Sequence, residues 1–283
     1  MAMNENTQIK VPQKNSFMEA LRYYAPTILF AVAVLLLWEF IVTVRDIQQF
    51  LLPKPSAIFA ELQKEIDIAL TDSFSSSLLF KSTLATLWSA VGGFVIGCGA
   101  GMLVALITAR WTIINEATMP FAIAANSVPI IAFAPIMNNW FGTTNPASKM
   151  AIVAIIVFFP VMINTVRGLT QVDPMQLELM HSYGAKPFKI LFSLRIPNAL
   201  PYIFSALRVA SSLSVIGAVV GEFFGGPTAT LGVRITQEAS SFNFARAWTA
   251  IIMAALIGIS FYLLVLLAER RMMPWYSSLR ETS

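Results

Sequence analysis

Apolar residues run along this chain in long unbroken blocks. They do not follow the every-second-residue alternation of lipid-exposed barrel strands. Six blocks, at roughly 26–44, 84–108, 117–140, 148–167, 199–224 and 247–268, approach or exceed the ~20 residues a helix needs to cross a ~30 Å hydrocarbon core. The pattern predicts an all-α polytopic membrane protein with six transmembrane helices. The last block, from Ala247 to Ala268, holds no charge at all. The third carries Pro120, Pro129 and Pro135. Each proline removes a backbone donor, and the freed carbonyls must be met by protein or water. That block is therefore expected to lie inside the bundle or along a cavity. In the second block Gly93, Gly97 and Gly101 recur every fourth residue, which puts three small positions on one helix face for close packing.

Between the first two blocks, Phe59, Leu62, Ile66 and Leu70 form a helical stripe, with Glu61, Lys64, Glu65 and Asp67 off it. This reads as an interfacial helix over 56–70. Residues 1–25 form a polar N-terminal tail, disordered to about residue 15, and 272–283 a second tail around a single domain at 26–271. The first block ends in TVRDIQQ with no small-residue cleavage site, so it is read as a retained span.

Composition agrees with the blocks. Hydrophobic residues make up 57% of the 283 positions and charged ones 12%, against about 25% in soluble domains. The net charge of +4 needs no nucleic acid to explain it, because Lys and Arg collect on cytoplasmic loops. Eleven of the 19 basic residues fall on the side of the termini and seven on the other, with Arg208 inside a span. The bias puts both termini in the cytoplasm. Cys98 is the sole cysteine, so no intrachain disulfide can form. One His and one Cys give neither a metal cluster nor a nucleophile pair, and no phosphate-loop motif occurs. The chain is expected to be non-catalytic, with no cofactor and no metal of its own.

One wet segment, 168–198, interrupts the apolar pattern. Asp173 can cap a short helix with Pro174 at its first position and Gln176 completing a capping box. Gly184 can end that helix in a left-handed cap. Pro187 opens a second short helix carrying Phe188, Leu191 and Leu194, and Pro197 is expected to close it before the fifth span. An ordinary connecting loop remains the alternative, although ordered loops of this length are usually functional.

Glu178, Gly184 six residues later and Pro197 thirteen after that, within Leu194-Arg195-Ile196-Pro197, resemble the EAA motif of ABC-importer permeases. The motif's two alanines are Leu179 and Met180 here. LLPKPS, NNWFG, FFPVMINTVRGL, ALRVASSLSVIGAVVGEF and GGPTATLG extend the resemblance over most of the chain. The set is similar to permeases of the nitrate, sulfonate, taurine and bicarbonate group and its vitamin- and pyrimidine-precursor relatives. That resemblance implies a type I importer fold in a bacterial cytoplasmic membrane. It also implies a second permease copy, two ABC ATPase subunits that bind the ATP, and an extracytoplasmic binding protein delivering a small solute. Glu178, His181, Gly184, Ala185, Pro187, Phe188 and Pro197 would then couple to the ATPase.

The polar residues inside spans are the candidates for the translocation path: Asn126, Ser127, Asn164, Arg208, Ser212 and Glu222. Each also has a structural reading. Asn126 and Ser127 beside Pro129, and Asn164 after Pro160, can repair proline breaks. Arg208 can draw an anion or pair with an acid such as Glu39. Glu222 can serve an outer gate or a docking surface. His181 can contact the ATPase or titrate as a switch. Asn126 stands where many anion-transporting relatives have a basic residue, which favours a heterocycle or vitamin precursor as solute. An ion-gradient-driven secondary transporter and a membrane scaffold are the competing classes. The first would carry inverted repeats, and none is evident between the two halves.

Overall fold

The computed structural model describes residues 16–71, 77–227 and 229–275, and every regular element among them is helical. The disordered tail expected to residue 15 and residues 276–283 lie outside the described residues. Helix α1 (Ser16–Val44) begins ten residues before the expected span and runs through Pro26. α2 (Pro55–Thr71) follows, then α3 (Leu78–Thr108). The third span is α4 (Thr112–Asn126), a 3₁₀ turn (Ile130–Phe133) and α5 (Ala134–Phe141), and the pair bends by 79° at the break. α6 (Pro146–Thr170) leads to a knob made of α7 (Pro174–Ser182) and α8 (Pro187–Ile190). A π turn (Leu191–Arg195) joins the knob to α9 (Ile196–Phe223); α10 (Leu231–Ser240) and α11 (Phe244–Met272) complete the chain.

Five helices are long and apolar enough to cross a bilayer, and the bent pair makes a sixth span. Their core is α3, α6, α9 and α11. Hydrocarbon gives apolar helices no reason to avoid lipid, so association rests on close packing of small residues. Gly93, Gly97 and Gly101 provide it. A Cβ on Gly93 would lie 2.5 Å from the Val153 Cβ, and one on Gly101 2.8 Å from the Phe158 carbonyl. The expected glycine face is thus the α3–α6 contact. On α9, Ala206, Ala210, Ser214 and Ala218 recur every fourth residue, all buried, and the alanines join Val153, Val157 and Val161 in the main core. α1 is peripheral. Leu29, Phe30 and Leu36 are exposed on it, as suits a helix facing lipid.

Three expectations change. Of the two placements expected for the broken span, burial inside the bundle does not hold within one chain: Phe121, Val128, Ile131 and Trp140 are exposed. Its break is satisfied locally instead, by Ala132 N–H to the Pro129 carbonyl at 2.9 Å and Ala134 N–H to that of Ile131. Pro197 does not close the second short helix. It has no N–H to offer the Ser193 carbonyl, and the turn widens, with Ile196 N–H reaching back to Leu191. The helical path therefore continues from Pro187 to Phe223. On α2 the stripe read as apolar is largely exposed at Phe59 and Leu70, while Ile58 is buried and Leu62 packs on the core. The acids beside that inner face, Glu61 and Glu65, turn to Arg246 and Arg234.

Candidate coupling and translocation sites

The knob is built by its punctuation. Asp173 accepts from the Met175 N–H at 2.9 Å, with Pro174 at the first helical position. At the other end Gly184 has φ +66°, and the chain reverses in a pair of nested bonds: Ala185 N–H to Met180 at 3.0 Å and Gly184 N–H to His181 at 2.9 Å. This is the Schellman arrangement, which an L-residue with a Cβ resists. Lys186 in extended backbone then lets Pro187 start α8. The result displays Met175, Leu179, Tyr183, Phe188 and Phe192, all exposed. Glu178, His181 and Pro197 are exposed too, and Ala185 is half-buried. The seven predicted coupling residues thus fall on one knob and its join to α9.

The predicted path residues do not form one cluster. Asn126 and Ser127 sit exposed at the end of α4, where the broken span bends. Ser127 Oγ reaches the Ile123 carbonyl at 3.4 Å. Asn164 Nδ2 donates to the Pro160 carbonyl at 2.8 Å. The carbonyl that Pro160 leaves without its helical donor is that of Ile156, so this bond shelters the asparagine rather than mending the break. Ser212 is half-buried on α9 between Ser211 and Ser214, whose hydroxyls bond back to the Arg208 and Ser211 carbonyls.

Arg208 is paired, but not with Glu39. Its guanidinium meets Glu269 of α11 at 2.9 Å, with side-chain exposures of 17% and 7%. Glu39 instead accepts from the backbone N–H and hydroxyl of Ser56, at 3.1 and 2.8 Å. It caps the N-terminus of α2, where a carboxylate is favoured. Sequence reasoning missed Glu269 because it falls one residue past the last apolar block, which ends at Ala268. Its place one residue before Arg270-Arg271 made it look solvated.

Glu222 anchors a polar hub at the end of the bundle remote from the knob. Its carboxylate accepts from Thr86 Oγ1 at 3.0 Å and from the Gly232 N–H at 2.8 Å, tying α9 to α3 and α10. Beside it is Lys149, fully buried. Its Nζ donates to Asn138 Oδ1 at 2.9 Å, to Ser148 Oγ at 3.0 Å and to the Thr143 carbonyl. Asn138 Nδ2 donates in turn to the Phe224 carbonyl at 3.1 Å. The hub joins α3, α5, α6, α9 and α10. Lys149 and Asn138 were not singled out from the sequence. Asn138 lay in the NNWFG stretch, and Lys149, at a span boundary, resembled any interfacial lysine.

A second ionic girdle lies on the same end. Glu65 accepts from Ser77 at 2.7 Å and pairs with Arg234, and Arg246 lies 3.6 Å from Glu61. Burial tends to raise the Glu65 pKa. The hydrogen bonds from Ser77 and Arg234 and the Arg234 charge outweigh it and hold the carboxyl below its usual range.

Residues 97–274 match the family described as the binding-protein-dependent transport system inner membrane component. The chain is 31% identical to a riboflavin transport system permease protein of Chloroflexus aurantiacus, across 86% of this chain and 87% of that one. It is also 31% identical to a formylaminopyrimidine transport permease protein of Halalkalibacterium halodurans, across 87% and 94%. Among solved structures, an amino acid ABC transporter described with histidines superposes at a TM-score of 0.55 and 20% identity, across 70% of this chain and 95% of that one. That likeness is one of fold.

Proposed function

Because the chain belongs to the family of binding-protein-dependent transport system inner membrane components, we propose that it is the permease subunit of an importer whose separate ATPase docks on the knob at Pro174–Ile190. The observation that carries this reading is the apolar crown of Met175, Leu179, Tyr183 and Phe188 on a short, polar, well-capped segment. A lipid-facing helix can leave such groups open. A segment outside the spans that exposes them is built to meet a partner. The Gly184 reversal fixes the angle between the two short helices, so that motion of the partner is transmitted through α8 and the π turn into α9. The ATP is bound by the partner. This chain supplies the path and performs no chemistry on its solute.

Two copies enclose the path, with the exposed surface of the broken span turned toward the second copy. Both termini and the knob lie in the cytoplasm, and an extracytoplasmic binding protein delivers solute to the opposite end. The solute is a small neutral heterocycle or vitamin precursor. The named relatives carry riboflavin and formylaminopyrimidine, and the one basic side chain within the spans' depth that was a candidate for an anion, Arg208, already has an acid partner. Asn126, Ser127 and Ser212 offer neutral hydrogen-bonding groups to such a solute.

Reconstitution in liposomes with the ATPase and binding protein tests the assignment. Uptake should require internal ATP, and Phe188→Ser should weaken ATPase capture while the permease remains monodisperse. Uptake driven by an ion gradient without ATP would instead establish a secondary transporter. Orientation is read separately: in a Cys98→Ala background, Lys186→Cys should label from the cytoplasm and Ala229→Cys from outside.

A further inference from the structure

A cavity of about 250 Å³ lies where the end of α3 meets the knob. Arg110, Arg195 and His181 line it together with Leu106, Phe188 and Leu191, and none of its lining residues is acidic. Both arginines line the same cavity, and a specific bond holds its two walls together. Arg195 Nη1 donates to the carbonyl of Ala109, the residue before Arg110, at 3.2 Å, fastening the π turn to the end of α3. Arg110 stands 6.0 Å from the ring centre of Trp111, which is 53% exposed. An exposed Trp beside Arg at a span end is the usual anchor at the level of lipid headgroups. From the cavity, the outer face of α3 continues upward through Leu106, Ile107 and Leu103, all exposed and apolar.

We propose that this cavity binds the phosphate of an anionic phospholipid from the leaflet on the knob side. Two arginines and a histidine lining one cavity supply donors suited to a phosphate, and the apolar strip above them lies where acyl chains would run. Basic pockets between spans on the cytoplasmic side are suited to such headgroups. The lipid would wedge between α3 and the knob, touching Phe188 and bracing α8 against the bundle from the membrane side while Met175, Leu179 and Tyr183 of the crown stay free. This goes beyond the import reading and does not depend on it, since the site is complete in a single chain.

The test uses the full chain in detergent, with lipid adducts counted by native mass spectrometry. Phosphatidylglycerol should be retained and phosphatidylcholine not. Arg110→Gln should lower phosphatidylglycerol retention about ten-fold, the loss of roughly one charge-assisted hydrogen bond, and Arg110→Lys should restore part of it. Arg270→Gln, which removes an exposed charge at the end of α11, should leave retention as it was. Equal retention by Arg110→Gln, or an equal loss in Arg270→Gln, would overturn the site. Displacement of the lipid by millimolar inorganic phosphate, with no preference between the two lipids, would assign the pocket to soluble phosphate and overturn the lipid source. A variant that keeps its lipid but loses ATPase capture would also overturn it, placing these arginines on the ATPase-docking surface instead.

Discussion

At the end of the bundle remote from the knob, Thr86, Lys149 and Glu222 are each no more than 1% exposed. On the knob, Met175, Phe188 and Tyr183 are 73–80% exposed. One end hides its charges and the other displays its hydrophobes. The first arrangement is closed on its donor side: each buried donor of Lys149 finds an acceptor within the chain, and Glu222 Oε1 alone of the hub's carboxylate oxygens is left without a donor. The second is complete only with something laid against it. A buried polar hub sets the relative positions of five helices, because unmaking any of its bonds leaves a group stranded in low dielectric. An exposed apolar crown sets no helix position and can change without disturbing the bundle. Stability and coupling should therefore separate along the length of the molecule.

The sharpest way to break this contrast is Lys149→Met. It removes the donor from Asn138 and Thr143 and leaves the buried Glu222 without the cation beside it. Leaving those acceptors unmet and a buried carboxyl without its nearby cation costs about 3–5 kcal/mol. The variant should elute as aggregate after mild heating, and adding Glu222→Gln should recover part of the loss. A Lys149→Met protein as heat-resistant as its parent would show that the hub does not hold that end together.

Arg208→Gln comes next. The pair with Glu269 keeps some water, with the arginine 17% exposed, so the loss is placed at about 2–3 kcal/mol. Rescue should come from Glu269→Gln and not from Glu39→Gln, since Glu39 belongs to the cap of α2. A stable, assembled Arg208→Gln complex that had lost only uptake would return the arginine to the solute path and reopen an anionic solute.

Gly184→Val should act at the knob with a smaller cost to the chain. A Cβ at 184 would meet nothing within 4 Å, so the penalty is the left-handed backbone alone, about 1 kcal/mol. The bundle should melt as before, while ATP hydrolysis proceeds without uptake in proteoliposomes. Normal coupling in this variant would remove the glycine reversal from the transmission route.

What could be read from the sequence divides along the same line. Spans, the glycine face and the knob's caps are signalled by neighbours a few residues apart: glycine every fourth position, Asp173-Pro174, Gly184. Local chemistry decides them, and local pattern shows them. The long ties of the hub and of the girdle are signalled by nothing local. Thr86 meets Glu222 across 136 residues, and Arg234 meets Glu65 across 169. The sequence left Arg208 open to an anion or to an acid such as Glu39, and finding Glu269 instead required the packing of α9 on α11. Pro197 misled for a different reason. A proline reads as a helix stop, yet here the helix absorbs it by widening one turn.

The smallest effect is expected from acid, at the girdle that joins α2 to α10. The Glu65 carboxyl is held below its usual range in the folded protein, so the unfolded chain binds that proton more readily. Its contribution to stability is therefore fully present above the ordinary carboxylate value of about 4.3 and is lost as pH falls through the lower, folded value. Near neutrality nothing should change. On acidification, amide protection should fall in α2 and α10 after correction for intrinsic exchange, and Glu65→Gln should abolish the pH dependence of that loss. The knob's reversal rests on backbone bonds around Gly184, which do not titrate, so it should hold while α2 and α10 loosen, with any effect of acid on the Asp173 carboxylate cap confined to the first turn of α7. Loosening of the knob ahead of α10 would reverse the order and put the acid-sensitive contacts at the coupling end. Protection of α10 that stayed constant through the acid range would show that Arg234 holds α2 without needing the Glu65 charge.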